Sequence, residues 1–184
     1  MEQKLDLKFK KKRTSQEAFL VDDYVKIKCP NDEFFLMDYE DIDLYIQSSW
    51  VIHRYENHKY AQGRYSKEKN LHRLIMNAKK GDHVDHINGD TLDNRKQNLR
   101  ICTRSQNQQN RRKQRSPSSS KYKGVQIHKN RRKDGSLKVY GTIRKDHKIV
   151  CKLFRTEIEA ARWYNKKAVE LFGEFAKLNE IPNE

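Results

Sequence analysis

The sequence predicts an α+β protein assembled from small modules rather than around one large interior. Three observations carry that expectation. Apolar residues make up 35% of the 184-residue chain and charged residues another 35%, which leaves little material for a single extensive core. Two-residue alternation of apolar and polar side chains recurs in short runs bounded by Asn, Asp and Gly. Near the C-terminus the pattern changes to an amphipathic helical stripe. The expected layout is a small β-rich N-terminal unit, a strand–strand–helix unit, and a three-stranded antiparallel sheet packed on one helix.

Residues 1–20, "MEQKLDLKFKKKRTSQEAFL", are basic and lack the apolar core of a signal peptide, and read as a mobile arm. In "VDDYVKIKC" Val25, Ile27 and Cys29 alternate with Tyr24, Lys26 and Lys28, a half-buried strand. "NDEFFLMD" follows as a turn and a second strand. Asp38 and Asp41 are placed to cap a short helix through "YEDIDLYIQS". "SWVIHRYENHKYAQGRYS" reads as a hairpin with Asn57 and His58 near its tip, completing a β-rich unit over 21–66.

The next unit, 67–110, opens with a helix over Lys67–Asn77 in which Leu71, Leu74 and Ile75 share a face, stopped by Gly81. "HVDHI" is a short strand, "NGD" a turn and "NLRICT" a second strand with Leu99 and Ile101 inward. "SQNQQNRRKQ" is a polar helix capped by Thr103 or Ser105. A basic Ser/Pro linker occupies 111–121. Residues 122–184 supply three strands, with turns at "NRRKDGS" and "RKDHK", and then a helix. Thr156 and Glu159 form its capping box, Ala160, Ala161, Tyr164, Ala168 and Leu171 its buried stripe, and Gly173 its end.

Charge narrows the partner. The net charge is +15, and residues 111–155 hold 16 Lys/Arg against two acids, Asp134 and Asp146, a net +14. So local a basic block, on polar strands rather than an amphipathic helix, points to nucleic acid and away from a membrane surface. Cys29, Cys102 and Cys151 form no C-x-x-C pair, which argues against a disulfide framework and a cysteine zinc site and for a reducing compartment. No apolar run reaches membrane-spanning length.

The stretch 81–110 carries chemistry. His86, Asn98 and Asn107 stand at H-x(11)-N-x(8)-N with Asp85 before the histidine. Phosphodiester hydrolysis needs an activated water, charge neutralisation at the phosphate and stabilisation of the leaving oxygen. A neutral imidazole can act as general base. A carboxylate and an amide oxygen are a minimal ligand set for one hard divalent ion that keeps most of its waters. Asp85 and His86 leave one strand end on different sides, and Asn107 can bring the amide oxygen from the helix. Asn88, Asp90 and Asn94 read as turn residues around Gly89.

The segments "LHRLI", "VDHINGDTLDN", "NLR" and "SQNQQN" resemble the HNH, or ββα-metal, nucleases, and within them the phage-type homing endonucleases whose motif ends in Asn. The resemblance spans residues 71–110. It implies His86 as general base, Asp85 and Asn107 as ligands of one Mg²⁺ or Mn²⁺, and Asn98 as the asparagine that pins the loop and orients His86. His72, in "LHRLI", is a possible phosphate contact or a packing histidine. Residues 21–66 resemble, more weakly, the N-terminal region that accompanies such nucleases.

Residues 121–179 carry a second resemblance, through "YKGV", "YGTIR" and "FRTEIEAARWYNKKAVELFGEFAKLN", to the plant ethylene-response-factor (APETALA-type) DNA-binding domain. That family lays a three-stranded sheet in the major groove. Alternation puts Val125, Ile127, Gly141, Ile143, Cys151 and Leu153 on the helix side. The opposite face then shows Lys123, Gln126, His128, Tyr140, Thr142, Arg144, Lys148, Val150 and Lys152. Gln126 and Arg144 suit base edges and the lysines suit phosphates. Val150 stands where the plant domains carry a DNA-contacting tryptophan, so no target sequence transfers, and Trp163 is expected to pack.

Together these readings predict a monomeric, site-specific, metal-dependent DNA endonuclease that nicks double-stranded DNA. Its expected location is the cytoplasm, that of the host cell if phage-encoded. The alternative is a DNA-binding regulator whose nuclease site has decayed, against which the complete Asp85, His86, Asn98 and Asn107 set argues.

Overall fold

A computed structural model describes residues 2–6, 17–29, 32–55, 58–64, 68–113 and 120–182. Most of the basic arm, Asn57 at the hairpin tip and 114–119 of the linker lie outside the described residues. The fold is α+β, with antiparallel sheets and few helices. Two compact units divide the chain, Met1–Arg104 and Ser105–Glu184.

The first unit is built on a four-stranded antiparallel sheet in sequence order, β1 (Glu2–Leu5), β2 (Glu17–Val21), β3 (Tyr24–Lys28) and β4 (Phe34–Asp38). The expected arm over 1–20 therefore supplies two strands, with Leu5 facing Ala18 in their pairing. The alternation read in the sequence holds. Val25, Ile27 and Cys29 are buried, as are Phe35 and Met37 of β4. A short helix, α1 (Ile42–Gln47), buries Tyr45, and neither Asp38 nor Asp41 caps with its side chain. Asp38 Oδ2 instead accepts from the backbone N–H of Lys96 at 2.7 Å, so this carboxylate ties a distant loop.

The expected hairpin is β5 (Trp50–Tyr55) and β6 (His58–Gly63). Trp50 and Ala61 enter the same core as the four-stranded sheet, which α2 (Leu71–Ile75) joins through Leu71 and Ile75. Helix α2 is shorter than the predicted Lys67–Asn77. It stops at Asn77, whose φ of 47° turns the chain left-handed before Gly81 is reached. The hairpin β7 (His83–His86) and β8 (Leu99–Cys102) completes the unit, with Val84 and Leu99 in the common core. Ile101, expected inward, is 47% exposed although its cross-strand partner Val84 is buried. One core running from Ala18 to Leu99 explains why no break falls at residue 66.

The second unit begins with α3 (Arg104–Asn110), whose first residue closes the first unit. Its sheet runs in the order β11–β10–β9, from β9 (Val125–Arg131), β10 (Leu137–Lys145) and β11 (Lys148–Phe154). Helix α4 (Glu157–Phe172) carries the predicted capping box, with Thr156 Oγ1 accepting from Glu159 N and Glu159 Oε2 from Thr156 N. Such caps contribute about 1 kcal/mol. Ala160, Ala161, Tyr164 and Ala168 are buried against Val125, Val139 and Ile143. The small residues let helix and sheet approach closely. A Cβ on Gly141 would lie 2.6 Å from Trp163, and one on Gly124, where φ is +73°, 2.1 Å from Tyr164, so both positions require glycine.

Pairing corrects the expected faces of β11. Tyr140 faces Leu153 and Thr142 faces Cys151 across the ladder, and directly opposed residues share a face. Thr142 Oγ1 lies 3.5 Å from Cys151 Sγ. Cys151 and Leu153 therefore stand on the open face, while Lys148, Val150 and Lys152 stand on the side that α4 takes on the other strands. Residues Lys148–Leu153 are all exposed, so the helix does not cover this edge.

Candidate active site

Strand β7 delivers Asp85 and His86 to opposite faces, and both are buried. Register sets their neighbours, with Asp85 opposite Arg100 and His86 opposite Leu99. Arg100 donates to Asp85 Oδ2 through Nε at 2.9 Å and Nη2 at 2.8 Å. Sequence reading missed Arg100, yet the signal was present. Once "VDHI" and "NLRI" pair as strands, the residue before the histidine meets the arginine of "NLR".

The loop between the two strands is held at both ends by Asn98. Its Oδ1 accepts from Asn88 N at 2.9 Å, its Nδ2 donates to Asp93 O at 2.8 Å, and its own carbonyl accepts from Ile87 N at 2.8 Å. Asn88, Asp90 and Gly89 form the turn, with Asn88 Oδ1 accepting from Asp90 N and Gly89 at φ 78°. Asp93 is buried in a two-pronged ion pair with Arg95, both contacts 2.8 Å. Burial pushes the Asp93 carboxyl up, but Arg95 outweighs it and holds the group below its usual range. The loop also lies along strand β4. Leu36 N donates to Leu92 O at 2.8 Å and Asn94 N to Leu36 O at 2.9 Å. Thr91 Oγ1 donates to the Lys59 carbonyl of β6. The N-terminal sheet thus serves as the bed on which this loop rests.

Asn94, read as turn material, is 0% exposed, and its Oδ1 stands 3.5 Å from His86 Nε2. In the tautomer that lets Nε2 donate to Asn94, the lone pair of His86 is on Nδ1. Burial holds the His86 imidazole below the ordinary histidine value, and the Asn94 contact with the charges of Asp85, Asp90 and Asp93 opposes that without reversing it. His72 packs edge-on against His86, ring centres 5.1 Å apart, and beside Tyr60 at 5.3 Å. Its Nδ1 is buried without a hydrogen-bond partner. Burial, with the charges of His86 and Arg73, pushes its pKa down to about 3. His72 is therefore a neutral ring wall of the site. Asn107 stands on α3, at the start of the second unit.

Chemistry distinguishes two places for a cation. Asp38, Glu40 and Asp41 gather their carboxylates within 4.8 Å. Lys96 already serves that cluster, its Nζ 2.6 Å from Glu40 and 3.1 Å from Asp41. Asp85, on the strand face opposite His86, offers a buried hard-oxygen donor whose Oδ2 is already held by Arg100. Among the described residues no cluster of histidines and cysteines assembles.

In the second unit, Gln126, His128, Tyr140, Thr142 and Arg144 share the open face of the sheet. Gln126 is opposite Tyr140, and the His128 and Tyr140 rings are 4.8 Å apart. Lys123 is not on that face. Its Nζ donates to the carbonyls of Gln109 at 2.6 Å and Arg111 at 2.8 Å, at the C-terminal end of α3. Burial, with repulsion from Lys177, lowers its pKa to about 8. This lysine is structural, and Lys148 and Lys152 lie at the sheet's exposed edge.

Comparison with known proteins bears on the first of these sites. Residues 69–109 match the family described as HNH endonuclease. The chain is also 39% identical over 125 residues to an uncharacterized HNH endonuclease of Acanthamoeba polyphaga mimivirus. That alignment takes in 66% of this chain and 61% of the viral protein, so the chain spans about three fifths of its relative's length. No solved structure matches. No helix among the described residues is long and apolar enough to cross a membrane.

Proposed function

We propose that the HNH endonuclease module at residues 69–109 makes this chain a site-specific, divalent-metal-dependent DNA endonuclease of the homing type that nicks double-stranded DNA as a monomer. The observation that carries the reading is the buried Asp85–His86 pair on a strand end whose following loop is pinned by Asn98. In this mechanism His86 takes the proton of the attacking water. Its burial favours the neutral imidazole that a general base requires. Asn94 and His72 fix the ring from two sides, and Asn98 fixes the backbone that aims it.

Asp85 is the proposed metal ligand of the first unit, and Asn107 the second ligand by its place in the motif. One Mg²⁺ or Mn²⁺ held there supplies charge neutralisation at the scissile phosphate and at the leaving 3′ oxygen. Arg100 holds Asp85 Oδ2 and so orients the carboxylate. In the second unit Gln126 and Arg144 are the proposed readers of base edges. His128, Tyr140 and Thr142 supply neighbouring contacts, and Lys148 and Lys152 meet phosphates from the edge.

Supercoiled plasmid incubated with Mg²⁺ or Mn²⁺, with and without EDTA, tests the mechanism. Wild-type protein is expected to give metal-dependent open circles. His86→Ala is expected to lose on the order of 10²–10⁴ of the rate, the usual contribution of a positioned general base. Metal-independent cutting or a fully active His86→Ala variant would refute it. Binding with no cutting in either metal would leave the DNA-binding regulator.

A further inference from the structure

Strands β5 and β6 form a two-stranded ribbon with unlike faces. Trp50, Ile52, Ala61 and Gly63 lie on the core side. Farther out on that side, Arg54 and Lys59 are both paired with Glu33. The other face, set by the pairs His53–Tyr60 and Tyr55–His58, is a run of rings with no acid among its described residues. His53, Tyr55 and His58 are exposed, Tyr60 is half-buried, and Tyr55 keeps 51% of its surface in solvent.

These rings lead to the catalytic candidate. Centre-to-centre distances are 4.8 Å for His53–Tyr55, 6.0 Å for Tyr55–Tyr60 and 6.3 Å for Tyr60–His86, with His58 joining at 6.2 Å from Tyr60. The outer phenol is held in place, since Gln62 Nε2 donates to Tyr55 Oη at 3.0 Å and to Asn70 Oδ1 at 2.8 Å. Cross-strand ring pairs stabilise a hairpin, which accounts for Tyr60 against His53. Stability does not require an exposed tyrosine, fixed by a glutamine, at the open end of a row that finishes on His86.

We infer that this face is a stacking platform for an unstacked nucleotide of the strand being cut, adjoining the scissile phosphate. The inference rests on the endonuclease reading of His86 and adds to it where the substrate strand runs. A strand whose phosphate lies at His86 meets the Tyr60 ring, 6.3 Å away, on this side of the site. Beyond it the row continues through Tyr55 and His53. Phenol and imidazole faces stack on any base, and the described residues of this face carry no acid to repel a polyanionic strand. The consequence is a preference for DNA that is already unpaired, or easily unpaired, at the cut.

The test uses the full chain carrying His86→Ala, in EDTA, so that cleavage does not enter the readout. The probe is a duplex oligonucleotide with a short run of unpaired iodouracil, compared with its fully paired counterpart and with an RNA strand of the same sequence. Photo-crosslinks mapped by mass spectrometry are expected on Tyr55 or His58. Tyr55→Ala is expected to weaken binding of the unpaired probe on the order of ten-fold, the loss of one base–aromatic stack, with little change for paired DNA. Tyr55→Trp should restore it. Crosslinks confined to residues 105–184, a Tyr55→Ala variant that binds both probes as wild type does, or preference for the RNA strand would each overturn the platform. Failure of the nuclease reading would appear separately, as wild-type protein that never nicks plasmid in Mg²⁺ or Mn²⁺.

Discussion

The β7–β8 hairpin and the β10–β11 hairpin are both antiparallel pairs rich in polar residues, and they treat those residues in opposite ways. In the first, Asp85, His86, Asp93, Asn94 and Asn98 are buried, and each has a polar partner within the unit. In the second, Thr142, Arg144 and Cys151 sit beside exposed Ile149 and Leu153 on a face that no other described element of the unit covers. Fixed partners make a group hold one geometry, which chemistry on a phosphate needs. Open groups can still be satisfied by a ligand, which recognition needs. The distinction predicts that substitutions in the first hairpin act on stability and on rate together, whereas those in the second act on binding.

Arg100→Met would strain that distinction hardest. It strands Asp85 as a buried carboxylate without its guanidinium and is expected to destabilise the first unit by about 3–5 kcal/mol, read as a fall in the urea midpoint. An unchanged midpoint would mean that Asp85 does not depend on its cross-strand partner. Asn98→Ala should cost about 1–3 kcal/mol by leaving Asn88 N and the Asp93 carbonyl unmatched, and should slow nicking beyond what the lost stability explains.

Acid sharpens the comparison further. The folded pKa of His72 is about 3, below the ordinary histidine value of 6.5, so the unfolded chain binds the proton first. Stability is then fully present above pH 6.5 and falls as pH drops from there towards 3. Below the upper limit the slope is at most about 1.4 kcal/mol per pH unit for this imidazole. Denaturant titrations across that window should show the slope, and His72→Gln should reduce it. The smallest effect belongs to the exposed edge. Lys152→Ala should leave folding unchanged, weaken DNA binding evenly across sequences, and lower the salt-dependence slope by about one.

What could be read from the sequence divides along the same line. The phase of β3, the capping box at Thr156 and the spacing of His86 and Asn98 were legible, because burial and capping restrict which residue types fit. The phase of β11 was not, since Ile149, Val150 and Cys151 run together and both faces are exposed, so hydrophobicity marks no inside. Its turn held the missing information. Asp146 and His147 both have positive φ, 47° and 62°, a two-residue turn that sets Lys145 opposite Lys148 and hence Thr142 opposite Cys151. The left-handed Asn77 and the strands within the basic arm were hidden for related reasons, one by an expectation that glycine takes positive φ, the other by lysines crowding between two pairing segments. Asn94 was concealed by its residue type, since asparagine in a loop ordinarily signals a turn.

The lysine contacts around the Ser/Pro segment bear on how such proteins exchange parts. Lys123 reaches back to the carbonyls of Gln109 and Arg111, and Lys113 reaches forward to those of Ser120 and Tyr122. The neck of the segment is stapled twice, so its composition marks a tether while its ends behave as one piece. A chimera joined within 114–119 would part Lys123 from the segment whose Gln109 and Arg111 carbonyls it holds. A junction at Arg104 and Ser105 moves the helix together with the sheet it is stapled to. The junction that keeps these contacts therefore lies ahead of α3, and a transplanted second unit brings Asn107 with it.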